Sequence, residues 1–289
     1  MKIINLFKSK KPVVSFEIFP PKLDTPLETI FDTLDQFKAM NPDFISVTYG
    51  AGGTQKDSTL EIASKIKNDY NIEAMAHFTC VGHSREDIDR LLDSLRESRI
   101  ENILALRGDA PKNQSDFDFS KNTFRYANEL IEYVQKDNPD FCIAASAYVE
   151  GHVDCIRLKD DLINLKRKVD TGVDFLVTQL FFDNRLFYDF LDRAAAVGIH
   201  CPIVPGIMPV FKADQIKRIT SLCGASIPAK LLILIDKYQD NSEDMRKAGI
   251  EYASTQIRDL VENGVDGIHL CTMNRPKSSR EILLNAGLL

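Results

Sequence analysis

Several features are missing from this chain, and each absence removes a class of function. The six cysteines, Cys80, Cys142, Cys155, Cys201, Cys223 and Cys271, are scattered with no CxxC pair among them. That argues against zinc ribbons, thiol redox chemistry and iron-sulfur clusters, and leaves them as small apolar core residues. Histidines are few and show neither HxH nor HExxH spacing, so no metal site is expected from His77, His83, His152 and His269. GxSxG, P-loop and kinase signatures are absent too, which weakens serine-hydrolase and phosphoryl-transfer readings. No apolar run reaches membrane-spanning length, and Ile3-Ile4-Asn5-Leu6-Phe7, behind a basic start, is too short for a signal-peptide core. A cytoplasmic protein without a membrane partner is expected. Nor is there a surplus of positive charge: the net charge of -6 gives no support for a nucleic-acid partner.

What is present is an alternation. At 44% hydrophobic and 27% charged residues, the composition is that of an ordinary globular protein. Short apolar runs alternate with amphipathic stretches throughout, the signature of repeated βα units. Eight strands are expected, at 13–19, 44–50, 73–80, 102–108, 142–148, 175–182, 203–208 and 267–273. Capping boxes are expected at Thr25 to Glu28, Ser58 to Glu61 and Ser278 to Glu281. An oversized unit, Phe211 to Val265, holds two or three further helices between strands seven and eight. An open doubly wound sheet usually carries GxGxxG after its first strand. Here that strand ends in Phe-Pro-Pro, and the glycine-rich segment at 50–53 follows the second strand and lacks the third glycine. The expected fold is therefore α/β, a single (β/α)8 TIM barrel over residues 1–289, with its site at the C-terminal strand ends.

Candidate residues collect at those ends. In Val13 to Pro21, alternation puts Val14, Phe16 and Ile18 on one face and Ser15, Glu17 and Phe19 on the other. A carboxylate among apolar neighbours is costly unless paired or protonated, so the Glu17 pKa is expected to rise, as a general acid requires; a buried structural ion pair is the plainer reading. Arg107 and Asp109 are expected to point together into the barrel top, with Gly108 admitting a ligand to the backbone. Ala74, Ala76, Ala105 and Ala144-Ala145-Ser146-Ala147 are small for barrel strands. They would either leave room for a planar ligand or serve tight helix-on-strand packing. Asp161, Asn164 and Lys168 share a helical face beside Arg167. Such a face is solvated by default, but it could also hold a diphosphate and a ribose.

These motifs in this order resemble the methylenetetrahydrofolate reductase family in its short bacterial form. The segments are Ser-Phe-Glu-Ile-Phe-Pro-Pro at 15–21, Ser-Val-Thr-Tyr-Gly-Ala-Gly-Gly at 46–53, Ala-His-Phe-Thr-Cys at 76–80 and Leu-Arg-Gly-Asp at 106–109. Asn-Leu-Lys-Arg-Lys at 164–168, Thr-Gln-Leu-Phe-Phe-Asp at 178–183 and Pro-Gly-Ile-Met-Pro at 205–209 complete the set. The resemblance implies a flavoprotein of one-carbon metabolism that binds FAD. It would take a hydride from NADH or NADPH and pass it, by ping-pong transfer, to 5,10-methylenetetrahydrofolate. Glu17 matches the family's general acid, and Asp109 the carboxylate near flavin and pterin. Gln179, Gln215 and Arg275 match folate contacts. Thr48, Tyr49, Ala51, His77, Arg107, Gly108, Tyr126, Ala127, Tyr148, His152, Asp161, Asn164, Arg167 and Lys168 match flavin contacts. Val149 stands where the family often has proline, so the His152 loop is expected to take a different path, and the Lys112 to Asn122 loop has no clear match. A homo-oligomer joined through exposed apolar positions of the insertion is expected. The alternatives are a proline dehydrogenase-like flavin barrel and a folate-binding barrel without redox chemistry.

Overall fold

The computed structural model describes residues 1–22, 24–49, 56–110 and 117–289. Its strands are all parallel and follow the expected alternation with helices. In chain order come β1 (Val13–Ile18), α1 (Glu28–Lys38), β2 (Phe44–Val47), α2 (Lys56–Asn68), β3 (Glu73–Thr79), α3 (Arg85–Glu97) and β4 (Asn102–Leu106). There follow α4 (Ala127–Asp137), β5 (Cys142–Ala147), α5 (Leu158–Asp170), β6 (Phe175–Thr178) and α6 (Asn184–Ala196). The last third holds β7 (Ile203–Val204), β8 (Gly206–Ile207), α7 (Ala213–Cys223), α8 (Ala229–Tyr238), α9 (Ser242–Glu262), β9 (Gly267–Cys271) and α10 (Pro276–Asn285).

The sheet runs β7-β6-β5-β4-β3-β2-β1-β9-β8, and the two short end strands explain how it closes. They are one stave interrupted by Pro205, which has no N–H to give a ladder. Ile203 and Val204 pair with β6, while Gly206 and Ile207 pair with β9. The expected eight-stave (β/α)8 barrel is the result, with α7, α8 and α9 as the extra helices between its last two staves. Several expected strands run past the observed ones at their C-terminal ends, where the chain leaves the ladder to build the rim.

Period-two alternation sorts the side chains into layers. Phe16 and Ile18 of β1 face outward and pack with Leu34, Phe37, Ile62 and Leu92 of the surrounding helices. Val13, Phe44, Met75, Leu104, Ala144, Phe175 and Val204 face inward and fill the barrel floor. Ile3 and Phe7, on the short 3-10 helix Ile3–Lys8, seal that floor from below. Burying each large apolar side chain contributes roughly 1.5–3 kcal/mol. The small residues divide by the same parity: Ala74, Ala76, Ala105, Ala145 and Ala147 lie in the outer layer under helices. Tight packing therefore accounts for them, and only Ala144 and Ser146 are left on the inner parity.

The capping expectations need correction. Helix α1 begins at Glu28, behind Leu27 and with no side-chain cap, whereas Ser58 and Ser278 lie inside the first turns of α2 and α10. A capping box is made instead by Ser84 and Asp87 at the start of α3. Among the described residues no helix is long and apolar enough to cross a membrane.

Helix α9 crosses the loop after β8 at Gly249, where an added Cβ would fall 1.8 Å from the Val210 carbonyl oxygen. Gly249→Ala is expected to cost about 3 kcal/mol or more of stability, read as a lowered denaturant midpoint. An unchanged midpoint would mean that α9 can move off this loop freely.

Candidate active site

Strand β1 sits between β2 and β9, and this order assembles the site around Glu17. Ser15 and Glu17 share the inward parity of Val13, so the polar layer lies directly above the apolar floor. His77, on β3, brings Nε2 to 3.5 Å from Glu17 Oε2, and His269, on β9, brings Nε2 to 3.8 Å. His269 is itself clamped. Ser15 Oγ donates to the Ile268 carbonyl and lies 2.7 Å from His269 Nδ1. With the hydroxyl hydrogen committed to that carbonyl, Nδ1 is the donor to Ser15, and Nε2 is left to face Ser46 Oγ at 3.2 Å and Glu17. The Phe44 ring stacks on the imidazole at 5.9 Å.

The backbone around Glu17 is stitched by the end of β9. Thr272 donates to the Glu17 carbonyl through both N–H and Oγ1, at 3.1 and 2.8 Å. Asn274 accepts from Phe19 N and donates to Phe19 O. Met273 and Asn274 both hold positive φ, 53° and 52°, a conformation costly for non-glycine residues. The paired bonds to β1 offset that cost.

These surroundings reverse the expected charge behaviour of Glu17. Burial pushes its carboxyl up, but the hydrogen-bonding approach of His269 and the charges of His77 and His269 outweigh burial and bring the pKa down to about 2. For His77, burial dominates and pulls the imidazole down to about 4 against the attraction of Glu17. At neutral pH His77 is thus uncharged and Glu17 is ionised. Cys271, buried beside the carboxyl, is pushed up by burial and by that negative charge.

The other candidates divide by side of the rim. On the β2 to β5 side, Thr48 and Tyr49 follow β2, and Tyr49 Oη lies 3.3 Å from His83 Nε2. Gly108 has φ +86°, yet the space a Cβ would take is already filled by Val81 and Thr79. Its small size serves packing against these two side chains. Arg107 and Asp109 do not point together into the barrel: Leu104 and Leu106 hold the inner parity of β4. The Arg107 guanidinium turns to the rim, 4.6 Å over the Phe119 ring and 3.4 Å from Asp154. Asp109 is exposed, with its charge felt at Tyr148 and Cys223.

Tyr148 packs edge-on against His152 at 4.7 Å. Val149 is buried, its carbonyl accepting from Arg193 Nη2 at 3.2 Å, which fixes the start of the His152 loop. On α5, Arg167 and Asn164 are exposed, and Asp161 is partly buried. Lys168 turns inward to donate to the Ser146 carbonyl at 2.6 Å, and burial lowers its pKa to about 8. Tyr126 is half exposed beside Arg125, with Ala127 opening α4 next to it. Ala51 lies outside the described residues, as do residues 112–116 of the Lys112 to Asn122 loop.

On the β6 to β9 side, Gln179 Oε1 accepts from Leu180 N, and Gln215 is folded onto Phe211 N and Met208 Sδ. Arg275 lies exposed, 4.6 Å over the Phe211 ring. Sequence reasoning missed the Ser15, Ser46 and His269 clamp. Two serines and a histidine at inward strand positions, level with or next to Glu17, were the available signal. Among the described residues no cluster of three or more His, Cys, Asp or Glu is arranged to hold a metal ion.

Both shifts make acid destabilising, in adjoining windows. The His77 pKa is lowered from 6.5 to about 4, so the unfolded chain binds that proton first and stability falls as pH drops through this range. The Glu17 pKa is lowered from 4.5 to about 2, so its contribution is present above 4.5 and is lost as pH falls towards 2. His77→Gln is expected to flatten the upper window and Glu17→Gln the lower, each by up to about 3 kcal/mol. Urea midpoints against pH measure this; variant curves parallel to wild type would remove the assigned protonation states.

The family model for methylenetetrahydrofolate reductase matches residues 2–287. The methylenetetrahydrofolate reductase (NADH) 1 of Arabidopsis thaliana is 37% identical over 303 residues, covering all of this chain and 51% of its own length. The chain spans about half the length of this and the similar maize relative. The 5,10-methylenetetrahydrofolate reductase of Escherichia coli is 34% identical over 275 residues, covering 95% of this chain and 90% of its own. Among solved structures, a Clostridium thermocellum protein described as binding two copies of 5-methyl-5,6,7,8-tetrahydrofolic acid aligns with TM-score 0.65 at 15% identity, over 98% of this chain and 96% of its own. An oxaloacetate acetylhydrolase aligns with TM-score 0.55 at 10% identity, over 96% and 82%. The last two are likenesses of fold. From the match along nearly its whole length, the chain belongs to the methylenetetrahydrofolate reductase family.

Proposed function

We propose that this chain is one catalytic domain that reduces 5,10-methylenetetrahydrofolate to 5-methyltetrahydrofolate, with a reduced nicotinamide dinucleotide as donor and FAD as carrier. The observation that carries the reading is a carboxylate set at the barrel mouth between two imidazoles, with cations on one side of the rim and amides on the other. The folate-binding description of the Clostridium thermocellum neighbour supports a folate in such a barrel.

The residues present fit an FAD. Lys168 and Arg167 on α5 supply positive charge for a diphosphate, and Asp161 and Asn164 on the same helix supply acceptors and donors for a ribose. His77 Nε2 is buried without a hydrogen-bond partner, 3.5 Å from Glu17, and would be free to meet a ring system bound above it. When bound, FAD supplies a carrier that takes a hydride from the nicotinamide and releases it to the folate, so the two substrates use the site in turn.

Glu17 acts on the folate. It gives a proton to a nitrogen of the five-membered ring, the C–N bond opens, and the resulting iminium carbon accepts the hydride. An ionised carboxylate has no proton to give, so Glu17 takes one up from solvent as the bound ring buries it further, and passes that proton to the folate nitrogen. Asp109 lies on the flavin side of the mouth, where its charge tunes the bound cofactor. Gln179 and Gln215 must release their present intramolecular bonds to reach the pterin, and Arg275 suits the folate's carboxylate tail. Leu232 and Ile233 on α8 are exposed, which supports the insertion as a self-association surface.

Anaerobic half-reactions test the reading. Protein loaded with FAD is expected to be yellow, to bleach with NADH or NADPH, and to recover colour with methylenetetrahydrofolate. Glu17→Gln should still bleach while recovery slows by about a hundredfold or more. Recovery at the wild-type rate would remove Glu17 as the acid, and bleaching by proline, or a colourless protein that binds folate, would favour another reading.

A further inference from the structure

Buried polar atoms without partners are rare in folded proteins, and each calls for an explanation. Among the described residues such side-chain atoms belong to His77, Thr79, Asn122 and Asn184. The first two lie together. His77 and Thr79 are alternate residues of β3, so their side chains leave the strand on the same side, and Met75 at the next position down belongs to the barrel floor. Thr79 is only 7% exposed, and its Oγ1 reaches no hydrogen-bond partner.

The position of this hydroxyl narrows what it waits for. Thr79 pairs in register with Leu106, the last residue of β4. Its Cβ would lie 3.0 Å from a Cβ placed on Gly108. The Thr79 methyl packs towards the Gly108 turn, and the residue stands one pleat above His77 on β3, across the ring from β6 and β9 that carry Gln179 and Arg275 at their ends. A ligand filling this side would meet Thr79 Oγ1 one pleat above the His77 imidazole, whose Nε2 stands 3.5 Å from Glu17. The hydroxyl can both donate and accept, which suits the alternating ring nitrogens and carbonyls of a flavin.

We propose that the Thr79 hydroxyl is a hydrogen-bonding contact of the flavin ring system, paired with His77 along β3. This rests on the flavin reading above. The threonine stays unsatisfied until the cofactor arrives, so the site is paid in advance with an orphan group whose partner is the ligand. Removing the hydroxyl while keeping the shape must then affect the free and loaded proteins in opposite directions.

The test compares wild type, Thr79→Val and Thr79→Ser, each stripped of flavin and titrated with FAD. Flavin fluorescence gives affinity, the visible absorption bands and reduction potential report on the ring, and thermal unfolding reports on each state. Thr79→Val is expected to weaken FAD binding about five- to tenfold, to shift the absorption bands and the potential, and to leave the stripped protein as stable as wild type or more so. Thr79→Ser should restore the spectrum. Thr79→Val that binds FAD with wild-type affinity and spectrum overturns the assignment, as does a stripped variant less stable than wild type, since the hydroxyl would then be satisfied within the protein. Wild type that binds no FAD fails the flavin reading itself, a separate outcome.

Discussion

A carboxylate inside a ring of parallel strands has to be answered from within the ring, and here strands far apart in sequence provide the answer. Glu17 is met by His77 from β3 and His269 from β9, and His269 is held in one tautomer by Ser15. Ser46 completes the clamp from β2. Each member depends on barrel closure: were β9 not paired with β1, the carboxylate would keep burial and lose its imidazole partner. A buried charge stripped of its partner costs several kcal/mol. The stitches from Thr272 and Asn274 to the end of β1 are therefore part of the electrostatics as well as of the backbone.

The rest of the architecture serves to place this cluster at an opening. An apolar floor of Phe44, Met75, Leu104 and Phe175, sealed by Ile3 and Phe7, keeps water out from below. The polar layer begins one pleat higher, with Ser15, Ser46 and His77. Around the mouth, the two sides differ in kind. The β5 side carries the cations Lys168 and Arg167 on α5, and the β6 to β9 side carries Gln179, Gln215 and Arg275. Glu17 stands between these two unlike sides of the mouth.

Lys168 illustrates how strongly position governs chemistry in this rim. Its ammonium is turned inward onto Ser146 O and burial lowers its pKa to about 8, whereas Arg167 on the same helix remains exposed. One residue of helical rotation separates a surface charge from a buried one. An anion beside Lys168 would raise its pKa back towards the ordinary lysine range, so binding and protonation at this residue are coupled.

Much of this was legible in the chain alone, because period two and period 3.6 are local properties. Alternation placed Glu17 on the inward face of β1, Phe-Pro-Pro and the absent GxGxxG argued for closure, and Asp161, Asn164 and Lys168 fell on one face of α5. Local pattern failed where a choice depended on the other side of the molecule. The small residues of β3, β4 and β5 divided between the helix layer and the interior only once strand parity was known. Arg107 left the barrel because β4 ends at Leu106 and Phe119 and Asp154 offer it a place at the rim. Most of all, the sign of the Glu17 shift was beyond the sequence. Burial, which composition and alternation foretell, raises a carboxyl pKa, while the two imidazoles that lower it arrive from positions 77 and 269. The chain by itself determined which groups would be buried; only tertiary structure decided which charges would meet there, since Coulomb energy depends on distance in space and not along the backbone.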